Sequence, residues 1–130
     1  MALDAVTLAL VQKRLDHITR QMGWVMTRTA RSPIFNHAHD FSCYLTDSAG
    51  TIVAQADGIP IHTGGGGFAA RALLKAFGDD LSEGDAYLLS DPYVAGGNHL
   101  PGDMVQPFLH QRQGYCVERH VSPPRHRDGS

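Results

Sequence analysis

The sequence predicts an α+β domain: a long amphipathic helix, a second helix and about five mostly antiparallel strands. Three observations carry this. Apolar residues recur at helical spacing through the first thirty positions, two short apolar segments bracket a polar turn after position 40, and strand-length apolar runs alternate with turn residues from 86 to 118. At 130 residues the chain has the size of one domain and is long enough to bury a core.

The first helix is predicted over residues 4–30. Val6, Leu10, Leu15, Ile18, Met22, Val25 and Met26 fall near a 3.6-residue period, with Gln12, Lys13, Arg14, Asp16, Arg20 and Gln21 largely on the other side. Arg28 and Arg31 place cations where a helix C-terminus favours them, and Ser32-Pro33 stops the helix. Phe41 to Leu45 and Thr51 to Ala56 read as a hairpin around Thr46-Asp47-Ser48-Ala49-Gly50. The second helix runs from Phe68 to Phe77, with Gly78 at its C-terminal cap and Thr63 or a glycine at its start. Strands follow at Ala86 to Leu89, Met104 to His110 and Tyr115 to Glu118, the last two joined by a turn over Gln111 to Gly114.

Composition excludes several classes. Hydrophobic content of 42% fits a globular domain, and a net charge of -2 gives no argument for nucleic acid or an anionic membrane. No apolar run approaches the roughly 18 to 20 residues of a membrane span, so a cytoplasmic protein is expected. Cys43 and Cys116 lie far apart without a CxxC spacing, as buried free thiols in a reducing compartment would.

Chemistry concentrates in three places. Asp91-Pro92-Tyr93-Val94-Ala95-Gly96-Gly97-Asn98-His99-Leu100-Pro101-Gly102-Asp103 packs two carboxylates, an imidazole and a carboxamide among prolines and glycines, the make-up of a rigid polar loop where ligands converge. Asn36-His37-Ala38-His39-Asp40 leads into the first strand; there His37 and His39 would share one face, either as chelators or as part of a polar or oligomer-contact loop. Gly64 to Gly67 precede the second helix and suit either an anion at the helix N-terminus or close backbone approach. No lysine-serine or lysine-threonine pair follows, which excludes a P-loop.

Four segments together resemble the N-terminal part of the hydantoinase B/oxoprolinase family: Asp40-Phe41-Ser42-Cys43, Ile52-Val53-Ala54-Gln55-Ala56-Asp57, Ile59-Pro60-Ile61-His62, and Ser90-Asp91-Pro92-Tyr93 through Gly96-Gly97-Asn98-His99-Leu100-Pro101. The family includes the N-methylhydantoinase B subunit, 5-oxoprolinase and a subunit of acetone carboxylases. The resemblance spans about residues 3 to 118 and implies an incomplete part of a larger fold. It implies ring-opening hydrolysis of a cyclic amide such as a hydantoin or 5-oxoproline, with ATP used by a partner, hydantoinase A-like subunit in a hetero-oligomer. It further implies a divalent metal ion (Mn or Zn) held by His99 and Asp103, with His62 as a substrate-side contact and Asp91 as an orienting acid. An acetone-carboxylase-like subunit and an inactive, truncated remnant are the alternatives.

Two departures from the family pattern shape the expectations. Where the family writes H-L-P-D, this chain has His99-Leu100-Pro101-Gly102-Asp103, one residue longer: either Gly102 absorbs the extra residue as a bulge or the ligand geometry of Asp103 is lost. The family's following histidine pair is replaced by Pro123-Pro124-Arg125-His126-Arg127-Asp128-Gly129. Residues 119–130 are therefore expected to be a divergent, disordered tail that follows a frameshift, and this chain alone to be inactive.

Overall fold

The structure, a computed structural model, describes residues 4–56, 58–59, 62, 64–82, 84–94, 102–110 and 113–120, with only the backbone for Asp79, Asp103, Leu109, His110 and 113–120. The expectations for Thr63, for the loop 95–101 with its His99, and for the tail from 121 onward lie outside these residues.

Helix α1 spans Ala5–Thr29. Asp4 caps it, its Oδ1 accepting from the amides of Val6 and Thr7 at 3.0 Å each. Ser32 and Pro33, read as a stop, also start a new turn: α2 spans Pro33–Asn36 with proline in its first turn. Strands β1 (Cys43–Thr46) and β2 (Ile52–Gln55) form the expected hairpin, and helix α3 covers Gly66–Phe77. Gly78 ends α3 at φ 46, in the left-handed region. Strands β3 (Tyr87–Leu89), β4 (Asp103–His110) and β5 (Gln113–His120) complete the chain's order. Strand β5 starts two residues before the expected Tyr115 and runs two past Glu118, so only residues 111–112 join it to β4.

All five strands form one antiparallel sheet in the order β2-β1-β5-β4-β3. Two local pairs are thus bridged by the last strand, which inserts between β1 and β4. Among the described residues, β3 pairs with β4 only as far as Val105, so Pro107 interrupts no pairing with β3.

Register assigns the faces. Tyr44, Glu118, Val105 and Tyr87 occupy one row, and Cys43, Arg119, Met104 and Leu88 the next, on the opposite face. Helix α3 packs on the first face, where Leu73 and Val105 are fully buried beside Leu74, Leu81, Tyr87 and Leu89. Helix α1 and α2 pack on the second, where Met26, Phe35, Phe41 and Cys43 form the other cluster. This cover is partial. Leu88 and Phe108, on the α1 side of β3 and β4, stay exposed, as do Val6, Leu8 and Leu10 at the start of α1.

Helix α1 buries part of its predicted apolar stripe, with Met26 in the core and Met22 packed against it, leaves Leu10 and Val25 exposed, and adds two small residues to the contact. Thr19, Gly23 and Met26 face the sheet, and Val6 is 69% exposed. Small residues bring the backbone close: a Cβ on Gly23 would sit 3.8 Å from both Ala56 and Phe41.

The glycines before α3 serve close approach. A Cβ on Gly66 would lie 2.4 Å from the Tyr44 ring, and one on Gly67 would lie 2.9 Å from the Gly50 carbonyl oxygen. Gly50 closes the β1–β2 turn at φ 74, and Arg71 Nη1 donates to its carbonyl at 2.9 Å. The N-terminus of α3 is thus wedged between Tyr44 and the hairpin turn.

Candidate functional site

His62 is the sequence-predicted site residue that the structure embeds most deeply. It lies between two glycine-containing segments and is built into a local turn: its amide donates to the Ile59 carbonyl at 3.0 Å, and the Gly65 amide donates to its carbonyl at 3.1 Å. The Tyr44 hydroxyl, buried under α3, donates to the same carbonyl at 3.3 Å. The wedge that seats α3 therefore also fixes the backbone of His62.

The imidazole faces Asp40. Nε2 lies 3.8 Å from Asp40 Oδ1, with the histidine side chain 4% exposed and the carboxylate 41% exposed. That spacing is outside hydrogen-bond length and within ion-pair range when the imidazole is protonated. Asp40 is the more accessible member, with His62 behind it. An imidazole and a carboxylate this close can pass a proton once a small shift or one bridging water brings them within hydrogen-bond reach.

Asp40 is the residue that sequence reasoning passed over. As part of an extended run into the first strand, it is expected on the face opposite to His37 and His39. The structure overturns that arrangement: residues 33–36 are helical, His37 caps the turn, and His39 adopts φ 52 rather than an extended conformation. His37 and His39 are both exposed, and no strand places them on a common face. Asp40 is anchored through its backbone, its amide donating to the Ile34 carbonyl at 3.0 Å, while its carboxylate stays partly exposed beside His62. The signal for it was its place at the head of the Asp40-Phe41-Ser42-Cys43 segment.

Asp91 sits in an exposed turn after β3. Its Oδ1 accepts from the Tyr93 amide at 2.9 Å, and the Val94 amide donates to its carbonyl at 3.2 Å, so this carboxylate orders the entry to the loop. Asp103 opens β4, its Cα paired with Leu89 of β3 and His120 of β5, so the two ends of the 90–102 connection meet at the sheet. His99 belongs to the part of that connection outside the described residues.

Imidazole and carboxylate donors suit a borderline divalent ion such as Zn or Mn. Among the described residues, however, no three His, Cys, Asp or Glu side chains converge as a ligand set. Cys43 is buried on the α1 face of the sheet. No helix among the described residues is long and apolar enough to cross a membrane.

Comparison with known proteins identifies the fold and the family. A family model for hydantoinase B/oxoprolinase matches residues 4–120. The chain is 35% identical over 108 residues to caprolactamase subunit beta of Pseudomonas jessenii, covering 83% of this chain and 19% of that protein. It is 39% identical over 98 residues to 5-oxoprolinase 1 of Arabidopsis thaliana, covering 75% of this chain and 8% of that one. It therefore spans a fifth or less of the length of either relative. The fold superposes on the crystal structure of ATP-dependent caprolactamase from Pseudomonas jessenii with a TM-score of 0.83 and 31% identity, over 94% of this chain and 21% of that chain. It also matches nucleotide-free acetone carboxylase at a TM-score of 0.80 and 18% identity, over 92% and 16% of the two chains, a likeness of fold. Family match, identities and superposition agree with the α+β architecture as a part of a larger fold, and the chain belongs to the hydantoinase B/oxoprolinase family.

Proposed function

We propose that this chain contributes to ring-opening hydrolysis of a cyclic amide in an ATP-dependent, multi-subunit assembly. The observation that carries the reading is the buried His62 imidazole facing the accessible Asp40 carboxylate at 3.8 Å, inside the region that matches the family. Amide hydrolysis needs a proton removed from the attacking water and one delivered to the departing nitrogen, which is work for a positioned acid–base pair. Asp40, at the open side, receives or gives the proton at the substrate. His62 holds that carboxylate in place and takes the charge change into the buried turn. Asp91 orders the start of the 90–102 connection through the Tyr93 amide.

The substrate in this reading is a lactam or hydantoin. In superposed structures the chain shares 31% identity with the caprolactamase against 18% with the carboxylase. ATP is used by an A-type partner subunit rather than bound here. A divalent ion, Mn or Zn, held by His99 and Asp103 would polarise the ring carbonyl or ready the water.

The test is co-expression with an A-type subunit from the same genome and an assay of ATP-dependent ring opening of 5-oxoproline, hydantoin and caprolactam by mass spectrometry. Asp40→Asn and His62→Gln are each expected to lower the rate by about 100-fold or more. Variants as active as the parent would overturn the role of the pair, and no ATP-dependent opening of any of the three rings would overturn the activity.

A further inference from the structure

Two surface patches outside the ring-opening reading are opposite in charge and alike in build. Charge is divided along the chain: residues 1–31 hold five lysines and arginines against two aspartates, whereas residues 32–118 hold three against ten aspartates and glutamates. The formal net charge of -2 conceals that division.

The basic patch is the outer face of α1. Lys13, His17, Arg20, Trp24 and Arg28 follow one another at spacings of three or four, so they form one stripe, turned away from the Thr19, Gly23 and Met26 that face the sheet. All five are exposed, and Trp24, the only tryptophan of the chain, is 70% exposed between Arg20 and Arg28. The acid within the length of the stripe, Asp16, lies off it. Gln12 Nε2 donates to Asp16 Oδ1 at 3.0 Å and to the Val53 carbonyl at 3.1 Å, which holds both side chains on the β2 side of the helix. The acidic patch follows α3. Phe77, 44% exposed at the end of that helix, stacks on Tyr87 with ring centroids 4.7 Å apart. The Tyr87 hydroxyl donates to the Asp80 carbonyl at 3.4 Å and reaches Asp85 Oδ2 at 3.5 Å, so the exposed Asp80 and Asp85 are gathered around the two rings. Lys75, two residues before Phe77, is nearly opposite to it on the helix.

We propose that these patches dock copies of this chain head to tail, the α1 stripe of one copy on the Phe77–Tyr87 patch of the next. The charge complementarity is carried by the chain itself. Exposed ion pairs add little on their own and chiefly orient the contact, while Trp24 and Phe77, each set among its charges, supply the buried anchors. Helix α1 packs on one face of the sheet, and Leu81 and Tyr87 pack with α3 on the other, so a chain cannot join its own patches. A docked pair keeps one patch of each kind open, as in a heterologous contact. The contact uses neither His62 nor Asp40, so it stands or falls apart from the ring-opening reading.

Sedimentation equilibrium of the full chain tests it. Expected is a mass above the monomer that rises with protein concentration at low salt, and association at least about tenfold weaker in about 0.5 M salt. Trp24→Ala weakens association by about tenfold. Arg20→Glu with Arg28→Glu reverses one half of the contact, and Asp80→Lys with Asp85→Lys reverses the other; each double variant alone associates at least about tenfold more weakly, with its fold checked by circular dichroism. An equimolar mixture of the two associates again, because reversed stripe meets reversed loop and native stripe meets native loop. A parent chain that stays monomeric at about 1 mM, whether or not its α1 stripe captures polyglutamate or anionic vesicles, would overturn the proposal. So would association indifferent to salt, or a mixture no more associated than either variant alone.

Discussion

Replacing Gly66 by alanine tests the wedge that seats α3 and steadies His62. An added Cβ would stand 2.4, 2.6 and 2.9 Å from Cε2, Cζ and Cδ2 of Tyr44. Ordinary carbon contact is near 3.5 Å, so ring or helix must shift by about 1 Å. Tyr44 has little room to give, being 1% exposed and tied through its hydroxyl to the His62 carbonyl. Alanine gains up to about 1 kcal/mol over glycine in helix propensity, whereas overpacking a tight core costs about 1–3 kcal/mol and more where neighbours are fixed. The clash wins, with a net loss of about 1–3 kcal/mol expected, or about 4–12 °C in Tm for a chain of this size. Urea and thermal unfolding followed by circular dichroism measure it. Gly64→Ala is the control, since a Cβ there meets nothing within 4 Å, and it should change stability by less than about 0.5 kcal/mol. A Gly66→Ala protein as stable as the parent would refute the packing argument and, with it, the link between α3 and His62.

Three further outcomes are expected. Leu73→Ala, at a fully buried position against Val105, should lower unfolding free energy by about 2–5 kcal/mol in urea melts, and a loss under 1 kcal/mol would mean the α3 face is loosely packed. Asp47 accepts from the Thr51 and Ala49 amides at 2.8 and 2.9 Å, and the Thr51 bond chiefly holds its carboxyl below the ordinary value of 3.8. The folded value is the lower one, so this stabilisation is present above pH 3.8 and is lost as pH falls through the folded value; the urea midpoint of Asp47→Asn should fall less steeply in that acid range. Metal analysis of purified chain should find about one equivalent of a divalent ion that is absent from His99→Ala and Asp103→Ala; metal-free parent protein would remove those two residues from the ligand assignment.

Much of this architecture was legible because it is local. The period of α1, the turn between β1 and β2, and Gly78 at the end of α3 are written within a few residues of where they act. The packing side of α1 was legible only in part: Met22 and Met26 lie on the predicted stripe, whereas Thr19 and Gly23 join the contact by being small, which an apolar period does not record. The double role of Ser32-Pro33 was missed for a related reason, since the pair that ends one helix also begins α2. The His62–Asp40 pair is a contact across 22 positions, set by how α2 turns the chain inward and how Tyr44 holds the later loop, and no spacing rule contains it. The left-handed backbone of His39 contradicts the extended reading of that cluster, because two backbone hydrogen bonds outweigh the preference of a non-glycine residue.

The order of the strands has a consequence for how the protein is made. Strand β1 finds its second neighbour in β5, with Cys43 opposite Arg119, 76 positions later. At a synthesis rate of about 5–20 residues per second, roughly 4–15 s separate the two strands at the ribosome. Throughout that interval the inner edge of the first hairpin is open, with its backbone groups unpaired and Tyr44 without its full cover. Among the described strands the last one made closes this sheet, so its centre forms after both of its flanks.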